Sequence, residues 1–196
     1  MFNIFLDTLP TTLTNENKVI PFRTDFRTWV NVLNVLNEDN KEKIYKTLKN
    51  LFFENIELNE NIILKLLNFL ACEKNINIIN ETAKGEKKAI TQLYDLIQDG
   101  DAVFISFFSF YKLDLLKVDY LHWYKFKILL NGLDNTTALG KRIELRSLDI
   151  SSIKNTKLRT QILKAKKEIA LIKKDKRRTP EEKQRDFNKS FSKMFF

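Results

Sequence analysis

The chain has 196 residues, 34 of them basic and 25 acidic, a formal net charge of +9 and 43% hydrophobic residues. That is enough apolar side chain for a packed core, and it is unlike the composition of a disordered chain. One cysteine, Cys72, and one histidine, His122, exclude an internal disulfide framework, a multi-cysteine zinc or iron–sulfur site and most histidine-based metal sites. The four glycines, Gly85, Gly100, Gly132 and Gly140, stand too far apart to form a phosphate-cradling loop.

Residues 1–22 read as extended: an apolar start, Pro10, a Thr/Asn-rich turn and then Val19-Ile20-Pro21-Phe22. This predicts a short hairpin lying against helices. Thr24 or Asp25 can cap a first helix, with Phe26, Trp29, Val30, Leu33 and Leu36 at helical steps. Asn40 opens a second helix, with Ile44, Leu48, Leu51 and Phe52 on one face. Asn59 or Asn61 opens a third, with Ile63, Leu66, Leu67 and Leu70 inward. Residues 73–88 are polar and irregular and read as a loop.

Nine of the 23 aromatic residues fall between Phe104 and Phe126. Asp101 can cap a helix carrying Phe104, Phe107, Phe108 and Tyr111, and Asp119 one carrying Leu121, Tyr124, Ile128 and Leu129. Such stripes are more often plain core than ligand boxes, so Trp29, Phe107, Phe108, Tyr111 and Leu129 are expected in the core. Tyr120, Trp123 and Tyr124 cannot share one helix face, so either this helix is buried all round or part of it waits for a partner, Tyr120 and Trp123 being the candidates.

The texture changes after Gly140. Up to that residue there are 16 basic and 18 acidic side chains, net −2; after it there are 18 and 7, net +11. Within this block Leu158, Ile162, Ala165, Ile169 and Ile172 step by four and three, an a/d seam in a background of Lys and Arg. Thr179-Pro180-Glu181-Glu182 reads as a fresh helix start, Thr at the N-cap and Pro at N1. Its face carries Phe187, Phe191, Met194 and Phe195, which are set up either to dock on a partner or to fold back onto the body. The basic block can serve a solvated helix, an acidic protein or phosphate. Its separation from the aromatics argues against a base-stacking nucleic-acid platform.

No constellation carries catalysis. Asp119 and His122 would share a helix face three residues apart, but no nucleophile or oxyanion hole accompanies them. Glu86-x-Lys88 lacks a partner Asp, Glu57 and Glu60 sit on a polar turn, and Cys72 borders a leucine-rich helix as a small apolar residue. The sequence therefore predicts no enzyme, no cofactor and no metal site. The start lacks a positive n-region and carries Asp7, so it does not read as a signal. The longest strongly apolar run, residues 102–111, is about half a bilayer crossing.

Several blocks then resemble one family. Met1-Phe2-Asn3-Ile4-Phe5-Leu6, Thr24 to Trp29 (TDFRTW), Phe107 to Leu115 (FFSFYKLDL), Asp119 to Leu133 (DYLHWYKFKILLNGL) and Arg146 to Ser151 (RSLDIS) resemble the bacteriophage gene-product-fifteen family, in the family's order. Tyr120-Leu121-His122-Trp123 is the most specific part, and the end from residue 180 has no counterpart. The resemblance implies a tail gene of long-tailed phages and prophages, between the major tail protein and tape-measure genes, where tail assembly chaperones are encoded.

The sequence thus leads to a mainly α protein: a compact multi-helix domain with a short N-terminal β-hairpin over 1–150, and a basic helical C-terminal extension over 151–196. The function that the resemblance implies is a non-enzymatic tail assembly chaperone binding the tape-measure protein, with the tail tube subunit and self-association as further contacts. It would act in the bacterial host cytoplasm and be absent from the mature virion. The rival is a nucleic-acid-binding or regulatory phage protein using the basic end. Partner-binding residues are expected at Tyr120, Trp123, Leu158, Ile162, Ile169, Phe187, Phe191 and Phe195.

Overall fold

The computed structural model describes residues 5–38, 40–72, 93–151 and 153–172. Among them are seven helices and one two-stranded antiparallel sheet, so the fold is mainly α. The elements are β1 (Thr12–Asn15), β2 (Lys18–Pro21), α1 (Phe26–Leu36), α2 (Lys41–Lys49), α3 (Glu60–Leu70), α4 (Gly100–Tyr111), α5 (Trp123–Asn131), α6 (Ala138–Ser147) and α7 (Thr156–Glu168). The irregular stretch 73–88 and the second C-terminal helix expected from Thr179 lie outside the described residues. The described part packs as two units. The first comprises 5–38, 40–72 and 121–124; the second comprises 93–120, 125–151 and 153–172, so that α7 belongs to the second.

In the first unit the hairpin turns through Glu16 and Asn17, both at positive φ, which is what a two-residue loop needs to follow the twist of its strands. Leu13 pairs with Ile20, and both are buried on the same face. Side-chain oxygens then start each helix: Asp25 accepts from Arg27 N–H, Asn40 from Lys43 N–H and Asn59 from Ile62 N–H. These occupy amide donors that a helix start otherwise leaves unpaired. α3 is turned from its expected face: Ile62, Ile63, Leu66 and Phe69 are buried, while Leu67 and Leu70 are half-buried. The reason is Phe69. Its ring is fully buried and meets Phe22 at 4.9 Å, Trp29 at 4.5 Å, Tyr124 at 4.9 Å and His122 at 5.7 Å between centroids. Burying so large a ring outweighs burying a second leucine. Lys65 is buried too, its stem in the core and its ammonium donating to the Thr14 carbonyl.

Residues 121–124 join this unit through main-chain bonds. Phe26 N–H donates to Leu121 O (2.9 Å), Trp123 N–H to Thr24 O (2.8 Å), and Leu121 N–H to the second carboxylate oxygen of Asp25 (3.1 Å). The expected helix start at Asp119 is therefore corrected. The backbone at 121–122 bridges the 24–26 segment, and α5 begins at Trp123.

The second unit is built on α4, with Ala102, Val103, Ser106 and Phe107 buried. Phe107 stacks on Phe126 at 5.2 Å, and Leu115, Leu130 and Leu139 complete the core. Ser106 Oγ donates to Ala102 O at 2.6 Å and accepts from Leu139 N–H at 2.9 Å, tying α4 to the start of α6. Thr137 caps α6. Gly140 is required there, because a Cβ would lie 1.9 Å from the Asp134 carbonyl. Three core expectations are corrected. Phe108 is 54% exposed, and Tyr111 and Leu129 are only half-buried, joined by the Tyr111 hydroxyl donating to Leu129 O at 2.8 Å. Phe107 and Phe108 are adjacent on a helix and point about 100° apart, so one faces in and the other out.

Candidate partner-binding surface

The expected partner-binding residues separate into four groups. Tyr120 and Leu158 are exposed, at 53% and 47%. Ile162 and Ile169 are half-buried. Trp123 is a correction: it is enclosed in the first unit, with its indole N–H donating to Leu70 O at 3.0 Å. A tryptophan placed so is core, because burial satisfies both its area and its donor. Phe187, Phe191 and Phe195 lie outside the described residues.

The structure adds exposed apolar residues that the sequence reading had placed inside or passed over. In the second unit Ile105, Phe108, Phe110 and Leu116 are exposed, Leu116 at 82%. Helical spacing alone could have separated Phe108 from Phe107. Leu116 follows α4 in a turn, where no periodicity betrays it.

α7 is amphipathic but buries none of its residues. Its seam of Ile162, Ala165 and Ile169 is half-covered, while Lys157, Arg159, Lys164 and Lys167 are exposed. A 13-residue helix is marginal in isolation, so its end contacts matter. Lys166 donates to Leu148 O at 2.5 Å. Beyond the helix, Gln98 Nε2 donates to Ala170 O at 2.8 Å and Ile172 N–H returns a bond to Gln98 Oε1 at 2.9 Å.

The anchor of this arrangement is Arg146 on α6, whose side chain is 7% exposed. Its guanidinium grips both oxygens of Asp99 at 2.6 and 2.7 Å and also donates to Leu93 O at 2.9 Å and Ile169 O at 2.7 Å. Three segments distant in sequence meet on one side chain, in the bidentate geometry that arginine alone provides. Burial raises the Asp99 carboxyl, but hydrogen bonds from Arg146, the Asp95 N–H and Arg142 outweigh it and hold it below the ordinary carboxylate range. Arg142 also clasps Asp101 at 2.6 and 2.9 Å, which keeps that carboxyl low as well.

His122 is buried; Tyr124 N–H donates to its Nδ1 at 3.1 Å, so Nε2 carries the hydrogen and donates to Pro10 O at 3.0 Å. Both ring nitrogens are thus engaged by main chain. Among the described residues no group of three or more His, Cys, Asp or Glu could hold a metal ion, and no described helix is long and apolar enough to cross a membrane. The first unit has an open hollow of about 520 Å³ lined by Arg23, Lys49, Phe52, Phe53 and Glu54, with the Arg23 guanidinium 4.7 Å over the Phe53 ring.

Comparison with protein-family models matches the one described as Bacteriophage Gp15 protein over residues 5–171. Neither the curated proteins nor the solved structures gave a match.

Proposed function

The chain belongs to the bacteriophage Gp15 protein family, and from that premise we propose that it is a non-enzymatic tail assembly chaperone that binds the tape-measure protein. The tail tube subunit would be its second contact, displacing it as the tube grows. The observation that carries this reading is the exposure of large apolar side chains in the second unit. Tyr120, Leu116 and Leu158 are exposed apolar side chains on a protein whose lysine-rich helix α7 buries nothing of its own. Exposed apolar groups among charges suit reversible capture of an aggregation-prone chain, the charges maintaining solubility. Engagement of both His122 nitrogens by main chain supports a role without turnover.

Co-expression with the tape-measure protein tests it. Wild type is expected to keep that protein soluble and to co-purify with it, and Tyr120→Asp with Leu158→Asp to lose both while remaining folded. Equal solubility of the tape-measure protein with and without the chaperone would contradict the proposal. Action in the host cytoplasm predicts absence of the protein from finished particles, read by mass spectrometry.

One observation favours a second reading. Lys157, Lys164 and Lys167 are exposed on one side of α7, a geometry that neutralises phosphates as well as carboxylates. Retention on DNA that falls steeply with salt and disappears on replacing these lysines would favour a nucleic-acid role.

A further inference from the structure

α4 is apolar nearly all round, with the sequence GDAVFISFFSFY. A helix of that kind is normally enclosed on every side. One face of it is nevertheless open. Asp101, Ile105, Phe108 and Lys112, spaced four, three and four, are all exposed, Ile105 at 51% and Phe108 at 54%. At 100° per residue Asp101, Ile105 and Phe108 lie within about 60° of one another, which is the seam spacing of a helix that pairs with another helix, and Lys112 follows at the C-cap. Phe108 is braced from within the helix: the half-buried Phe104 ring stacks on it at 6.1 Å and 20°. Lys112, in left-handed conformation at the C-cap, closes the seam at one end and Asp101 opens it at the other.

This seam is complementary to itself reversed. Two copies of α4 laid antiparallel about a twofold axis level with the Ser106–Phe107 peptide put Ile105 opposite Phe108, Phe108 opposite Ile105, Asp101 opposite Lys112 and Lys112 opposite Asp101. A parallel pair would instead set Asp101 against Asp101 and Lys112 against Lys112. Both oxygens of Asp101 already accept from Arg142 and Lys112 Nζ donates to Ser109 O at 2.8 Å, yet a carboxylate has lone pairs, and an ammonium further donors, left for a second partner. The match of apolar to apolar and of anion to cation under one twofold operation is the signature of an isologous contact.

We propose that a second copy of this chain covers the α4 seam, forming a twofold dimer through antiparallel α4–α4 pairing. Its apolar centre supplies the affinity, and the Asp101–Lys112 ends set the direction. The dimer does not rest on the tape-measure reading, since the seam is distinct from Tyr120 and Leu158.

Sedimentation of the full chain over a concentration series gives the first result: a reversible dimer. Phe108→Asp is expected to raise the dissociation constant at least ~30-fold, with an unchanged melting temperature at concentrations where wild type is monomeric, because Phe108 is exposed in the single chain. Lys112→Glu is expected to weaken pairing only ~2–5-fold, an exposed pair contributing little. Register is read in a Cys72→Ser background by oxidising Ile105→Cys and Phe108→Cys chains. The mixture of the two is expected to cross-link faster than either alone. A chain monomeric at every concentration, a dimer indifferent to Phe108→Asp, or faster cross-linking of Ile105→Cys with itself would each overturn the proposal. So would a monomer whose Phe108 is needed to capture a different protein.

Discussion

Each of the two units is held together by a hub of its own, and the two hubs are of opposite chemistry. In the first, the Phe69 ring gathers Phe22, Trp29, His122 and Tyr124 from the β2–α1 region, α1 and the start of α5. In the second, the Arg146 guanidinium gathers Asp99, Leu93 and Ile169. Both tie distant segments, but burial of the Phe69 ring gains from salt, whereas a buried ion pair depends on both charges being present. The consequence is a division of sensitivity. The first unit rests on an aromatic core; the second carries the α4 seam, Leu116, Tyr120, Leu158 and the basic helix, and a buried ion pair ties it together.

The largest effect should come from truncating the apolar hub. Phe69→Ala is expected to cost ~3–5 kcal/mol, a large share of a domain's stability, measured as a drop in denaturant midpoint. A loss under ~1 kcal/mol would mean that the ring is not the centre of that core. Next, Arg146→Ala leaves Asp99 buried without its main partner and frees Ile169 O. A loss of roughly 3 kcal/mol, with faster amide exchange in α7 and residues 169–172, is expected. Intact α7 protection in this variant would show that the helix is held by other contacts.

pH distinguishes the hubs more finely. Asp99 has its folded pKa lowered, so its contribution is fully present above the unfolded value of about 3.9 and is lost as pH falls through the folded value. Exchange protection in α4 and α6 should therefore decline below about pH 4 before that of α1 and α3. The advantage of wild type over Asp99→Asn should shrink over the same range; a constant difference from pH 7 to pH 3 would remove Asp99 from the account. The smallest effect belongs to the surface: at concentrations where the chain is monomeric, Phe108→Ala should change stability by no more than an ordinary surface substitution, about 0.5 kcal/mol.

Much of this fold is legible in the residues. Asn40 and Asn59 announced their helices, and the a/d spacing of Leu158, Ile162 and Ala165 marked α7. What the sequence hid was set by long-range contacts. Asp119 looked like a cap, but the backbone of residues 121–122 bonds to Thr24, Asp25 and Phe26 instead, a pairing that no local pattern encodes. Phe108 and Trp123 exchanged roles for the same reason. Spacing shows which residues share a face, but not which face the rest of the chain will cover, so the exposed phenylalanine and the enclosed tryptophan both read the wrong way round. Asp99 and Arg146 are 47 residues apart and gave no signal at all.

The most direct test of a partner-binding second unit is photo-cross-linking in infected or induced cells, with a photoreactive phenylalanine at position 158 and, in a second strain, at position 69. The account predicts tape-measure peptides joined to position 158 while tails are assembling, and none joined to the buried position 69. Position 158 yielding no tape-measure adduct in cells that assemble tails normally would contradict it.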